Sequence, residues 1–371
     1  PYLVEDLKGQ GYEVVAFGKV AHGRGARVEA VGFDHVVAGA GAGNLRRAVA
    51  DYLAARTSAK PLCLFAGISN PHVDWPESAR FDPAKVVLPP HQLDTPATRA
   101  HRAWYYAEIA ELDDLLGELR ALAARHLGED VLFIHSSDHG SQCPFGKWIL
   151  YDYGIRVPFV AAWPGVIKPG TRSGAMIQWT DLLPTLVEVA GGEVRAGLDG
   201  RSFLGVLRGE RTVHRERIFT THSGDGRMNI YPIRSVRTRE WKLIHNLHPE
   251  FAHTNHSDIH RKPGAGRYWD EWAERMKGDE ADRALVLRYY RRPEWELYHV
   301  SEDRWELANL VDDPAQAQRL ESLRREPRRL QRPNSNRQRR RPGLLLRRVQ
   351  VRHVGRMPGP GACQRLCRRS A

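Results

Sequence analysis

The sequence predicts an α/β fold, in which helices flank a mostly parallel sheet and a small antiparallel subdomain follows at the C-terminal end. Through the first 214 residues, apolar runs of strand length alternate with helical patterns. Alternation of this kind is typical of βαβ units and a parallel sheet. After residue 215 the apolar runs are shorter and are separated by turns, which indicates antiparallel strands. A chain of 371 residues has room for both parts.

The first part contains the longest predicted helix, over residues 98–126, where apolar side chains recur at helical spacing. The apolar run 131–134 follows it and predicts a buried strand of the parallel sheet. The other predicted elements here are helix 1–10, strand 13–17, helix 45–55, strand 61–66, strand 157–162 and a helix from Thr180 to Gly191.

The second part contains shorter predicted strands and no internal repeat. These strands cover residues 218–220, 230–236, 241–244 and 295–298. Helical periodicity stops at Pro327, in a segment rich in arginine. We therefore predict an α/β domain over residues 1–214, an antiparallel subdomain over 215–323 and an Arg-rich tail over 324–371.

The tail accounts for the basic character of the chain. It contains 16 Arg, no Lys and one acidic residue, whereas the whole chain carries a net charge of +12, so the body is close to neutral. The tail could be a basic arm that binds nucleic acid, a disordered segment, or a frame-shifted reading of a GC-rich gene. We favour the last two, because arginine without lysine is unusual for a binding arm. We expect no nucleic-acid partner.

Composition limits the other classes of function. No apolar run approaches the ~18 to 20 residues of a membrane span, so we expect none. The four cysteines do not have the spacing of a disulfide framework or a zinc site. The chain begins without Met inside a helical pattern, and we interpret this as an interior start. The missing signal peptide therefore says little about location.

The most informative motif is Ser137-Asp138-His139-Gly140, which closely follows the predicted strand 131–134. Open α/β sheets hold their ligands at the carboxyl ends of the strands. Asp138 and His139 are both of metal-ligand type, so the motif predicts a cation site. The alternative is an ordinary turn, because Ser, Asp and Gly are common turn residues.

Cationic and imidazole groups follow the other predicted strands. Lys19 and His22 follow the first strand, and His72 follows the second in a loop stiffened by prolines. Lys147 lies a short loop after the Asp138 motif. Taken alone, Lys19, His22 and Lys147 are explained better as solvated loop residues, and His72 could be a surface residue in a rigid turn. Together, at one sheet edge, they suit the binding and cleavage of a compact tetrahedral anion.

In this order the motifs resemble those of the sulfatase family of the alkaline phosphatase superfamily. The likeness covers about residues 1–323, and the segments 231–236 and 241–247 are most similar to its heparan N-sulfatase branch. The matching segments are Gly18-Lys19 with His22-Gly23, Pro71-His72, Asp138-His139-Gly140, Gly146-Lys147 with Arg156-Val157-Pro158, Asp181-Leu182-Leu183-Pro184-Thr185, and Glu296-Leu297-Tyr298 with Glu306 to Leu310.

The resemblance implies an alkaline-phosphatase-like fold and hydrolysis of sulfate esters or sulfamates. The implied ligand is a sulfated carbohydrate or another small sulfate ester, and the implied location is extracytoplasmic. Asp138 and His139 would ligate a divalent cation, usually Ca²⁺. Because imidazole is a less typical Ca²⁺ ligand, His139 could instead orient the site or contact sulfate. Lys19 and Lys147 would hold sulfate oxygens. His22 would assist the nucleophile, and His72 would serve the leaving group.

The sequence departs from the family at the nucleophile. The family uses a formylglycine made from the Cys of a Cys-x-Pro-Ser-Arg motif, and none of the four cysteines has that context. We expect this motif and the family's first strand, with its metal-binding Asp pair, to lie before Pro1, and we expect the 371-residue chain to be inactive. Two alternatives stay open: a phosphate or phosphonate monoester hydrolase, and a non-catalytic, truncated anion-binding protein.

Overall fold

The computed structural model describes residues 2–20, 31–39, 41–224 and 229–330. His22 lies outside the described residues, as does the tail from residue 331 onward. The expectations for His22 and for that part of the tail therefore stay predictions.

The N-terminal sheet is parallel, as predicted. Its central strand β1 (Glu13–Gly18) lies between β2 (His35–Ala38) and β3 (Leu62–Gly67). Strand β1 is almost entirely buried because helices pack against both faces of the sheet. Helix α1 (Tyr2–Gly9) covers Val14 on one side, and α2 (Ala42–Ala55) covers Val15 and Phe17 on the other.

The predicted long helix is present as α3 (Pro96–Leu127). Thr95 caps its N-terminus, because the Thr95 hydroxyl accepts a hydrogen bond from the backbone N–H of Thr98 at 3.2 Å. Gly128, with φ of 80°, follows its last residue and ends the helix. Leu115 and Leu119 pack into the same apolar cluster as α2 and β1.

The strand before the Asp138 motif differs from the prediction in its partner. Strand β4 (Phe133–Ser136) pairs antiparallel with β5 (Phe159–Ala162), and in the described part of the chain it has no hydrogen-bonded parallel neighbour. The prediction of a parallel-sheet strand over 131–134 was therefore wrong. Residues 137–158 contain the short helix α4 (Asp152–Ile155) and bring the chain back beside β4, which allows antiparallel pairing.

The C-terminal sheet is antiparallel, as predicted. Its four strands lie side by side in chain order. They are β6 (Ile218–His222), β7 (Ile233–Arg237), β8 (Trp241–Asn246) and β9 (Trp295–His299).

Several helices around this sheet were not predicted. Three of them lie between β8 and β9: α7 (His256–Ile259), α8 (Tyr268–Gly278) and α9 (Glu280–Tyr290). Their aromatic side chains, such as Trp272 and Tyr289, are fully buried in one core cluster. Helix α10 (Ala317–Leu330) continues past Pro327, where the sequence indicated that helical spacing stops.

The remaining helices follow β5. They are α5 (Leu182–Val189), which a 3₁₀ turn at Trp179–Asp181 precedes, and α6 (Leu204–Leu207). Among all the helices described, none combines the length and the apolar character that a membrane crossing requires.

Candidate functional site

Lys19 lies at the carboxyl end of β1, next to the end of β3. Its backbone N–H donates to the Gly67 carbonyl at 2.8 Å. A Cβ at Gly67 would lie 2.2 Å from the Lys19 carbonyl oxygen, so only glycine allows the two strand ends to approach this closely. The parallel pairing of β1 and β3 therefore sets the position from which the Lys19 side chain extends.

His72 lies in the loop after β3, and its ring tautomer follows from one contact. The ring Nδ1 lies 2.5 Å from the carbonyl oxygen of Val73, which can only accept a hydrogen bond. Nδ1 therefore carries the proton when the ring is neutral, and Nε2 presents a lone pair. The C-terminal part holds this loop, because the Trp75 N–H donates to Gly264 O at 2.7 Å and the Lys262 ammonium pairs with Asp74 at 2.6 Å.

Lys147 is buried, with only 8% of its surface exposed. Its backbone N–H donates to Ser141 O at 2.8 Å, and its carbonyl accepts from Asn255 Nδ2 at 3.2 Å. A Cβ at Gly146 would lie 2.0 Å from Ser141 O, which explains the glycine before Lys147. The Lys147 backbone is thus fixed between the β4 loop and the C-terminal part of the molecule.

Three of the predicted site residues act on the imidazole of a fourth, His72. Burial lowers the pKa of His72 below its usual value, and the positive charges of Lys19 and Lys147 lower it further, as does the charge of His139 when its ring is protonated. The structure therefore brings these side chains close enough for their charges to interact at His72. A neutral imidazole beside two lysines is an environment that favours an anionic ligand.

Asp138 and His139 offer two ligand atoms on one side of this cluster. His139 Nδ1 donates to Gly140 O at 2.7 Å, which leaves Nε2 with its lone pair 3.5 Å from Asp138 Oδ2. Ca²⁺ takes about six to eight oxygen ligands. Within the described ranges, no group of three or more His, Cys, Asp or Glu residues could hold a metal ion. The pair therefore fits part of a divalent-cation shell, and not a complete Ca²⁺ site.

Two residues beside the site were not identified from the sequence. Asn255 holds the Lys147 carbonyl and also caps α7 in a reciprocal capping box with Asp258. The Asn-x-x-Asp spacing could have indicated that cap, although not its contact with Lys147. Trp179 donates its indole N–H to Ser137 O at 3.2 Å, directly before Asp138, and no local pattern indicates that contact.

A second charged cluster lies just beyond the Lys147 loop and is largely buried. Lys242 Nζ contacts Asp152 Oδ1 at 2.5 Å and Glu306 Oε1 at 2.8 Å, and Arg237 Nη2 contacts Asp152 Oδ2 at 2.9 Å. Burial alone would raise the pKa of Asp152, but Lys242 and Arg237 hold it well below its usual range. For Glu306, burial outweighs Lys242 and raises the pKa to about 6. We refer to these four residues as the buried ion cluster.

Comparison with known proteins identifies the family. The fold and the motifs are those of the alkaline-phosphatase-like class, and a sulfatase family model matches residues 43–192. A second model, the C-terminal part of N-sulphoglucosamine sulphohydrolase, matches residues 140–265. The chain belongs to the sulfatase family, and the resemblance to the heparan N-sulfatase branch is confirmed.

Curated relatives agree with this assignment. The chain is 30% identical over 272 residues to an ulvan-active sulfatase of Formosa agariphila, which covers 72% of this chain and 50% of that protein. It is 32% identical over 263 residues to human N-sulphoglucosamine sulphohydrolase, covering 68% and 51% respectively. The chain thus spans about half the length of these curated relatives.

Solved structures share the fold. One is a protein in complex with its substrate D-glucosamine-2-N,6-O-disulfate, with a TM-score of 0.63 and 16% identity over 89% of this chain and 81% of that one. Another is a phosphonate monoester hydrolase from Silicibacter pomeroyi, with a TM-score of 0.61 and 17% identity over 89% and 79%. At these identities the likeness establishes the fold alone.

Proposed function

We propose that this chain carries the anion-binding part of a sulfatase-type site and that its ligand is the sulfate group of a sulfated sugar. The observation that carries the proposal is the pair of lysines, Lys19 and Lys147, whose positive charges lower the pKa of His72. The relationship to a human N-sulphoglucosamine sulphohydrolase supports an N-sulfated or O-sulfated amino sugar as the substrate class.

Lys19 and Lys147 bind the sulfate oxygens in this proposal. An ammonium group offers three donors and a compact charge, and each charge-assisted hydrogen bond to an anion contributes about 1.5–3 kcal/mol. A bound anion offsets the lysine charges at His72, so the pKa of His72 rises on binding. A proton taken up at His72 Nε2 is then available to the leaving oxygen or nitrogen of the sugar.

Asp138 and His139 would hold the divalent cation of the family. When bound, such a cation withdraws charge from the sulfate oxygens. His22 would assist the nucleophile, and a formylglycine would be that nucleophile. The 371 residues contain no Cys-x-Pro-Ser-Arg motif, so we propose that the chain by itself binds the sulfated ligand without turnover.

Binding of N-sulfoglucosamine to the 371-residue chain tests the proposal. We expect Lys147→Met to weaken binding by about tenfold or more in titration calorimetry, because one charge-assisted contact is lost. Lys85→Met is the matched control, since the Lys85 side chain is 85% exposed. Absence of binding by the unmodified chain, or equal affinities of the two variants, would contradict the proposal.

Hydrolysis of phosphate or phosphonate monoesters is the second candidate function, because a phosphonate monoester hydrolase shares the fold. The same calorimetry with phenyl phosphate, a phosphate monoester, separates the two candidates by which anion binds more tightly. An assay of the chain with N-sulfoglucosamine and an aryl sulfate should show no turnover above buffer. Turnover would contradict the proposed inactivity and leave the binding proposal intact.

A further inference from the structure

Trp179 exposes a large aromatic surface next to the site. Its side chain remains 51% exposed, whereas tryptophan in folded proteins is on average largely buried. The indole N–H is already bound to Ser137 O, one residue before Asp138. This contact holds the ring at the edge of the Asp138 motif and leaves apolar ring surface in contact with solvent.

The backbone under Trp179 is held firmly. Trp179 begins the 3₁₀ turn whose last residue, Asp181, is fully buried. The Asp181 carboxylate accepts hydrogen bonds from the Gln178 N–H at 3.1 Å and from Arg215 Nε at 2.7 Å. It also lies 3.2 Å from Nε2 of His214. An exposed aromatic ring on such a support loses little conformational entropy when a ligand binds, so it is preorganised.

We propose that the Trp179 ring is the platform on which the sugar ring of the sulfated ligand stacks, while its sulfate group binds at Lys19 and Lys147. This inference rests on the proposed function. The C–H face of a pyranose is flat and apolar, and the indole face is its chemical complement. A single exposed ring offers far less than the roughly 1,200–2,000 Å² buried in a stable protein–protein interface, so a small ligand suits it better.

The test compares two ligands on the full 371-residue chain by titration calorimetry. We expect Trp179→Ala to weaken binding of N-sulfoglucosamine about three- to tenfold and to leave the affinity for inorganic sulfate unchanged. Trp179→Phe, which keeps a ring, should retain most of the affinity. Trp163→Ala is the matched control, because Trp163 follows β5 at the opposite end of the β4–β5 pair and its N–H is likewise bound, to Asp130 at 2.9 Å.

The outcomes separate this inference from the proposed function. If Trp179→Ala binds N-sulfoglucosamine as tightly as the unmodified chain does, the proposal that the sugar stacks on Trp179 is overturned. An equal loss for sulfate and for N-sulfoglucosamine would also overturn it, because the tryptophan would then support the anion site and not the sugar. If the unmodified chain binds neither ligand, the proposed function fails and the inference fails with it.

Discussion

The two charged clusters at the ends of the segment 147–152 differ in how their charges are balanced. In the buried ion cluster, two carboxylates face a lysine and an arginine, so the charges balance within a few ångströms. At the candidate site, two lysines, Lys19 and Lys147, act on His72, and no carboxylate among the residues that the structure describes offsets their effect on its pKa. The first cluster links the β4–β5 connection to the C-terminal sheet, and the second lies at the edge of the parallel sheet.

The difference separates groups that serve the fold from groups that serve binding. A buried ion cluster is tolerated only when it is complete, because each unpaired charge in the interior costs several kcal/mol. Like charges gathered at a cleft lower local stability and are typical of sites that bind a counter-charge. Only four residues separate Lys147 from Asp152, so the first cluster also fixes the loop that carries part of the second.

Removal of one cation from the buried ion cluster should have the largest effect. Lys242→Met leaves Asp152 and Glu306 without their shared ammonium, and we expect the free energy of unfolding to fall by about 3–5 kcal/mol. Urea denaturation followed by circular dichroism measures this free energy. Lys85→Met should change the free energy by less than about 0.5 kcal/mol. A decrease of less than about 1 kcal/mol in the free energy of unfolding of Lys242→Met would show that the cluster does not stabilise the fold.

The pH dependence of the free energy of unfolding should reveal the raised pKa of Glu306. The folded protein keeps its proton up to about pH 6, whereas the unfolded chain releases it near the usual 4.5. The free energy of unfolding should therefore fall by about 2 kcal/mol as the pH rises through this window. Glu306→Gln should remove that part of the decrease. Burial also raises the pKa of Asp258 to about 6. Because Asp258 is intact in both proteins, its contribution to the pH dependence is the same in both and cancels in the comparison.

Denaturation of the two proteins at pH 4.5 and pH 7 provides the measurement. Glu321→Gln, on the exposed surface of α10, is the control that removes a carboxylate from a solvated position. The same pH dependence in Glu306→Gln and in the unmodified chain would contradict the assigned shift.

Local sequence signals predicted the parallel strands β1 and β3, because both are short apolar runs, but they did not indicate β2. The site residues that follow β1 and β3 stay a prediction. The partner of β4 was not predictable, since an apolar run does not say which neighbour a strand will have. Lys242 and Glu306 look like ordinary surface residues in sequence, and only the fold brings them to Asp152. Contacts between residues distant in the chain also place Asn255 and Trp179 at the site.

The His72 pKa, measured by NMR titration with sodium sulfate and with sodium chloride at matched ionic strength, tests the central claim most directly. We predict a pKa below the usual histidine value in chloride and a higher pKa at saturating sulfate, because the bound anion offsets the neighbouring cations. Lys147→Met should raise the His72 pKa in chloride and reduce the effect of sulfate. A His72 pKa at or above its usual value in chloride, or one that sulfate leaves unchanged, would contradict a cationic sulfate-binding site.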